Sequence, residues 1–180
     1  MKKAVVFTAS PRKNSNSSRM AASFAEAAKL KGYEVECFDT FKMDIKPCRV
    51  CDSCFKNGTP CIVNDDFNKA AEAILSSDVI IFAAPLYWYT FPAQMKLLID
   101  KLYALCVAKK DLKGKRAGLI ACCGDEGVST FEGIRVAFEK SLEFLKCDVL
   151  GEVLIPNVYD EGDIDRTDGL KRAAALADLL

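Results

Sequence analysis

The sequence has no histidine. This excludes a Ser-His-Asp or Cys-His nucleophile and any zinc site with a histidine ligand. Acid–base work would fall to Asp, Glu, Lys, Tyr or Cys, and a bound cofactor with its own chemistry suits such a chain better. Neither sign of charge is in excess: 25 Lys and Arg balance 25 Asp and Glu, with no basic run. No nucleic-acid or membrane-surface partner is therefore expected. No apolar run reaches transmembrane length. Met1-Lys2-Lys3 before an apolar run imitates a signal peptide, but the run stops at Phe7 and no small-residue cleavage site follows, so a first strand is expected. The 180 residues suit one domain spanning 1–180. Nine cysteines, an odd number without an export signal, favour a reducing, cytoplasmic compartment and metal or redox roles for any cluster.

Glycine is missing where a nucleotide fold would most need it. The apolar run Ala4-Val5-Val6-Phe7 reads as a buried strand and Met20 to Leu30 as a helix. The turn between them, Thr8 to Ser18, contains no Gly. The dinucleotide fingerprint G-x-G-x-x-G and the polyphosphate loop G-x-x-x-x-G-K-S/T both need glycines for close backbone approach. What the turn does carry is hydroxyls (Ser10, Ser15, Ser17, Ser18), amides (Asn14, Asn16) and the Arg12 guanidinium. At a helix N-terminus, free N–H groups and the positive end of the dipole add to these. The set suits a single terminal phosphate, as on a mononucleotide such as FMN. The alternative is an ordinary strand-to-helix turn with a Ser or Asn N-cap.

Along the chain, strands alternate with helices. Gly32 is a helix C-cap, and Tyr33 to Phe38 a second strand whose alternation (Val35 and Cys37 against Glu34 and Glu36) marks an edge. A loop insertion at 39–64 follows, long enough to be functional. Asp65-Asp66 open a helix through Leu75, their carboxylates suited to its dipole. Val79 to Ala84 is a central strand, and Leu86 to Phe91 a loop. A helix with Pro92 near its first turn has apolar positions from Met95 to Leu105. Ala117 to Cys122, a helix from Ser129 to Leu145, Val149 to Ile155 and a helix from Asp168 to Leu180 complete the order. This alternation predicts an α/β fold, a doubly wound five-stranded parallel sheet of flavodoxin-like order 2-1-3-4-5 in three α/β/α layers. Ligands in such sheets sit outside the C-terminal strand ends, so Thr8–Ser18, Pro85–Phe91 and Cys123–Gly127 should meet around one ligand. Tyr87, Trp88, Tyr89 and Phe91 offer four aromatics for a flat slot, or for core or subunit packing.

Ser10-Pro11-Arg12 with Ser15-Asn16-Ser17, Ala84-Pro85-Leu86-Tyr87-Trp88, and Met95-Lys96 with Ile99-Asp100-Lys101 together resemble the NAD(P)H-dependent FMN reductases of the flavodoxin-like superfamily. The family often has Arg in place of Lys101, and usually Gly where this chain has Ala9. The resemblance implies that Ser10, Arg12, Ser15, Asn16 and Ser17 hold the FMN phosphate. It implies that Pro85, Leu86, Tyr87 and Trp88 line the flavin ring and that Cys123-Gly124 close its other edge. It implies an oxidoreductase that takes a hydride from NAD(P)H and passes electrons to a small-molecule acceptor such as a flavin, quinone, nitro or azo compound. The flavin does the chemistry, and no catalytic side chain is named. A homodimer or homotetramer with the flavin near an interface is also implied.

The inserted loop holds Cys48, Cys51, Cys54 and Cys61. The first three have the C-x2-C-x2-C spacing of a ferredoxin-type run. This resembles the iron–sulfur flavoproteins, a branch of the same family with a [4Fe-4S] cluster beside FMN, which implies these four cysteines as metal ligands. The spacing also admits a four-cysteine zinc site, or free thiols and a redox disulfide set. Two further roles follow from those options: an FMN electron carrier, with or without a cluster, serving a ferredoxin-like partner, and a thiol or zinc redox sensor on the same fold. Cys37, Cys106, Cys122 and Cys147 are expected to be buried small apolar residues.

Overall fold

The computed structural model describes residues 1–180. Five parallel strands, β1 (Lys3–Thr8), β2 (Glu34–Asp39), β3 (Val79–Pro85), β4 (Arg116–Cys122) and β5 (Asp148–Ile155), lie in the order β2-β1-β3-β4-β5. This is the expected doubly wound order. Side chains alternate across each strand, and both faces are covered. Val5, Phe7, Ile80 and Phe82 face α2 (Phe67–Ser76), α3 (Ala93–Lys101), α4 (Tyr103–Val107) and α5 (Glu132–Leu145). Ala4, Val6, Val79 and Ile81 face α1 (Asn16–Leu30) and α6 (Gly169–Leu176). The unbroken apolar runs of β1 and β3 are the sequence of strands buried on both sides. Phe7 stands in register with both Phe38 and Phe82 and stacks on them at 5.3 and 6.0 Å. After β1 the chain turns to the α1 face, and after β3 to the α3 face. The two exits diverge and open a crevice at the carboxyl edge, the switch point of such sheets.

Several local expectations are corrected. Helix α1 begins at Asn16 rather than Met20, so the hydroxyl-rich stretch is its first turn. The helix expected from Pro92 to Leu105 is two helices. Its ladder tightens at Leu102, where the Leu102 N–H reaches the Ile99 carbonyl and the Leu105 N–H the Leu102 carbonyl. Phe91 is a core residue, 4% exposed and edge-on to Phe82, and lines no slot. Cys37 is exposed and Cys106 half-buried, whereas Cys122 and Cys147 are buried as expected. On edge strand β2 it is Phe38 that takes the core position.

Asp65 and Asp66 do more than face a helix dipole. Asp65 accepts the Phe67 N–H at 3.2 Å through Oδ1. Its Oδ2 takes the Lys101 ammonium at 2.6 Å and the Lys46 N–H at 2.8 Å. Both side chains of the pair are buried, 2% exposed for Lys101 and 1% for Asp65. Asp66 Oδ2 accepts the Asp44 N–H at 2.7 Å, and the Asp66 N–H returns to the Asp44 carbonyl at 3.1 Å. Asn68 holds the Cys61 N–H at 2.6 Å. The start of α2 is therefore a clasp that shuts the neck of the cysteine loop, and Lys101 neutralises the buried carboxylate at its centre. The family motif around Lys101 thus has a structural use that spacing alone does not show. Removing one partner leaves an unpaired buried charge. Lys101→Met should lower unfolding free energy by about 3 kcal/mol in a urea melt; a loss below about 1 kcal/mol, the scale of an exposed pair, would contradict this assignment.

Candidate flavin site

At the carboxyl edge, the turn before α1 is arranged for an anion. Ser15 is the N-cap: its Oγ accepts the Ser18 N–H at 3.2 Å and donates to Ser18 Oγ at 2.7 Å. The N–H groups of Asn14, Ser15 and Asn16 donate to no acceptor in the chain, and that of Ser17 is turned to the Cys122 thiol. Ala9, where the family usually has Gly, is buried against β3 and has no positive φ, so its methyl is tolerated. Ser10, Arg12, Ser15 and Asn16 line one side of a cavity of about 170 Å³. Pro85, Leu86, Tyr87, Cys122, Cys123 and Gly124 line the opposite side. A second, more open hollow of about 360 Å³ continues it past Leu86, Cys123 and Gly124, with Trp88, Tyr89, Asp125 and Thr130 on its rim. The three expected loops do meet in one trough.

The expected residues divide by role. The Asn16 side chain is already engaged: Nδ2 donates to the Asp160 carbonyl at 2.8 Å, and Oδ1 accepts the Gly162 N–H at 3.2 Å. Ser17 is fully buried, its hydroxyl 3.5 Å from Ser15 Oγ. Of their two backbone N–H groups, only that of Asn16 has no acceptor in the chain. Trp88 stays out of the inner cavity and stands 92% exposed on the outer rim.

The loop after β5 is a wall that sequence reasoning missed. Val158, Tyr159 and Glu161 line the inner cavity. Arg12 donates to the Tyr159 carbonyl at 2.6 Å and lies 5.6 Å from its ring, so the guanidinium is held over the cavity mouth with other N–H groups to spare. Gly124 packs beneath that ring; a Cβ there would meet Tyr159 Cδ2 at 2.8 Å. The one available signal was an aromatic in the polar segment Asn157–Asp163 after the last strand.

Burial decides the thiols. Cys122 is pushed up to about 12 by burial, with Cys123 adding to it and the Ser17 N–H and Arg12 opposing. Burial likewise raises Cys147 to about 11. Neither is a nucleophile near neutrality.

In the loop 39–64, burial raises the Cys54 thiol, and Cys61, Cys51 and Cys48 raise it further. The four sulfurs therefore share one electrostatic neighbourhood. A cationic centre held among them would reverse that repulsion. No group of three or more Cys, Asp or Glu side chains in the structure is arranged as a metal site, for zinc or for a cluster. The backbone is left-handed at Val50, Asp52 and Phe55. From Cys48 to Cys54, no N–H donates to another residue. Such strings of free N–H groups suit sulfur-rich anionic centres. None of these residues lines the trough.

The family model for NADPH-dependent FMN reductase matches residues 2–145. The chain belongs to this family. An iron-sulfur flavoprotein of Methanosarcina thermophila is 31% identical over 115 residues, 64% of this chain and 60% of that protein. One from Archaeoglobus fulgidus is 34% identical over 118 residues, 66% of this chain and 53% of the relative. The chain thus spans little more than half the length of these curated relatives. The solved NAD(P)H:quinone oxidoreductase from Methanothermobacter marburgensis superposes with a TM-score of 0.74 at 19% identity, covering 98% of this chain and 95% of that one. At that identity the likeness speaks for the flavodoxin-like fold. No helix is long and apolar enough to cross a membrane.

The thiol environments give a pH prediction. Unfolded Cys122 ionises near 9.0 but the folded thiol does not until about 12. Its contribution to stability is complete below the first value and is lost as pH rises toward the second. The melting temperature should fall over that interval, and Cys122→Ala should flatten the fall. An equally steep fall in that variant would contradict the burial of the thiol.

Proposed function

We propose that this chain is the flavin-binding unit of an FMN-dependent NAD(P)H oxidoreductase. The observation that carries the reading is the single trough joining the free N–H groups of the α1 turn to the backbone of Pro85–Leu86 and to Gly124. Ser10, Arg12, Ser15 and the N–H group of Asn16 hold the FMN phosphate, with Ser17 packed behind them; they form a glycine-free anion cradle with one fixed positive charge. Pro85, Leu86 and Tyr87 line one edge of the ring and Cys123–Gly124 the other, with Trp88 outside. Bound FMN supplies the chemistry, accepting an electron pair from NAD(P)H and releasing electrons one or two at a time. The protein binds the cofactor, orients it and leaves one side of the trough open to a small-molecule acceptor. Its nine free cysteines support a reducing, cytoplasmic setting. Exposed Tyr87, Trp88 and Tyr159 on the rim support a homodimer or homotetramer that meets near the trough.

The cysteine loop holds a [4Fe-4S] cluster through Cys48, Cys51, Cys54 and Cys61. The reading is supported by the shared environment of the four thiols, the free N–H groups between them and the names of the two relatives above. The clasp of Asp65, Asp66 and Asn68 holds the neck of this loop shut.

Arg12→Ala should weaken FMN binding by about tenfold or more, the scale of one charged hydrogen bond. Unchanged affinity in a fluorescence titration would place the phosphate elsewhere. Mixing the flavin-loaded protein with NADH or NADPH in a stopped-flow instrument should bleach the flavin absorbance; no bleaching with either cofactor sinks the reductase reading. Anaerobically purified protein should carry about four irons per chain and broad visible absorption. Zinc, or no metal, would remove the cluster.

A further inference from the structure

The turn that carries Trp88 is held from outside its own strand. Tyr87 and Thr90 close it with two backbone bonds, Tyr87 N–H to Thr90 O at 3.0 Å and Thr90 N–H to Tyr87 O at 3.1 Å. Between them Trp88 and Tyr89 have φ of +46° and +64°. Two consecutive left-handed residues in a two-residue turn are the type I′ geometry, which Asn-Gly adopts readily and bulky aromatics adopt only under constraint. The two side chains supply little of that constraint, being 92% and 58% exposed. The surface beneath the turn is the first turn of α5. The Tyr89 carbonyl accepts no hydrogen bond and points at Gly133. A Cβ on Gly133 would lie 2.4 Å from that oxygen, closer than any real contact. The neighbour is backbone, so it cannot swing aside. Gly133 is itself exposed, in a helix where alanine is the better former. Helix formation does not call for a glycine there; the close approach does.

We propose that Gly133 is a positioning residue for the flavin ring. Its missing side chain lets the Tyr87–Thr90 turn settle on α5, and that seat sets where the aromatic edge of the trough stands. Tyr87 lines the inner cavity, and Trp88 and Tyr89 line the outer one. Lifting the Tyr89 carbonyl off α5 therefore displaces walls of both. The inference rests on the reading of the trough as an FMN site.

Trp88 is the chain's one tryptophan, so it reports on the turn without any flavin present. In flavin-free Gly133→Ala, the tryptophan emission and its quenching by acrylamide should shift while the far-ultraviolet dichroism is kept. FMN binding should weaken about tenfold, equivalent to about 1.4 kcal/mol. Thr90→Pro opens the same turn from the other side: it removes the N–H that bonds the Tyr87 carbonyl and leaves α5 untouched. It should move both readouts in the same direction, and it decides the matter if Gly133→Ala does not fold. A folded Gly133→Ala with unchanged emission overturns the proposal. So does either variant, if its turn shifts without loss of FMN affinity. Wild-type protein that binds no FMN overturns the flavin reading instead; the Trp88 signal, read without flavin, still judges whether Gly133 seats the turn.

Discussion

The turn into α1 leaves three consecutive backbone N–H groups, Asn14 to Asn16, without acceptors in the chain. A helix N-terminus can satisfy such groups with water, with side chains or with an anion. Here Ser15 caps only the Ser18 N–H, and the neighbouring side chains are turned to holding the surroundings. Asn16 ties down the segment after β5, and Arg12 anchors at the Tyr159 carbonyl. The free polar groups of this turn are thus mostly backbone, and the side chains around them fix the walls of the trough. In the proposed site a turn without glycine suffices, because the helix start presents the N–H groups and no tight wrapping of a polyphosphate is needed.

The cysteine loop obeys a different constraint. It contains almost no regular hydrogen bonding of its own, yet both its ends are bolted to the start of α2. The buried pair Lys101–Asp65 stands at the centre of that clasp. A buried ion pair contributes little net stability against an apolar alternative, but it punishes any arrangement in which the partners separate. It is therefore suited to specifying one position for a loop that meets the core only through Ile45 and a few part-buried side chains such as Cys54, Phe55 and Cys61. Lys101 ends α3, which itself follows the aromatic turn at the trough. The cysteine loop and the aromatic turn are thus anchored to the two ends of the same short helix.

The order of strands and helices was legible in the sequence because buried parallel strands read as unbroken apolar runs such as Val79 to Ala84. That the turn after β1 forms one wall of the trough was legible from its place in the strand order. Phe91 was left open between slot and core, because an aromatic next to a loop carries no mark that tells the two apart. The break at Leu102 was invisible because apolar spacing continues across it. Asn16 was assigned to the ligand by resemblance, and the engagement of its side chain with Asp160 depends on a segment 144 residues away.

By itself the sequence determined the sheet order, the three loops that meet at the carboxyl edge, and the four cysteines grouped in one insertion. These follow from local periodicity and local chemistry. Only the tertiary structure decided that Tyr159 closes the trough, that Lys101 neutralises Asp65, and that Gly133 bears the Tyr89 carbonyl. Each is a contact between segments far apart in the chain. Its energy comes from exclusion of water and close approach of backbone, which leave no pattern in either segment alone.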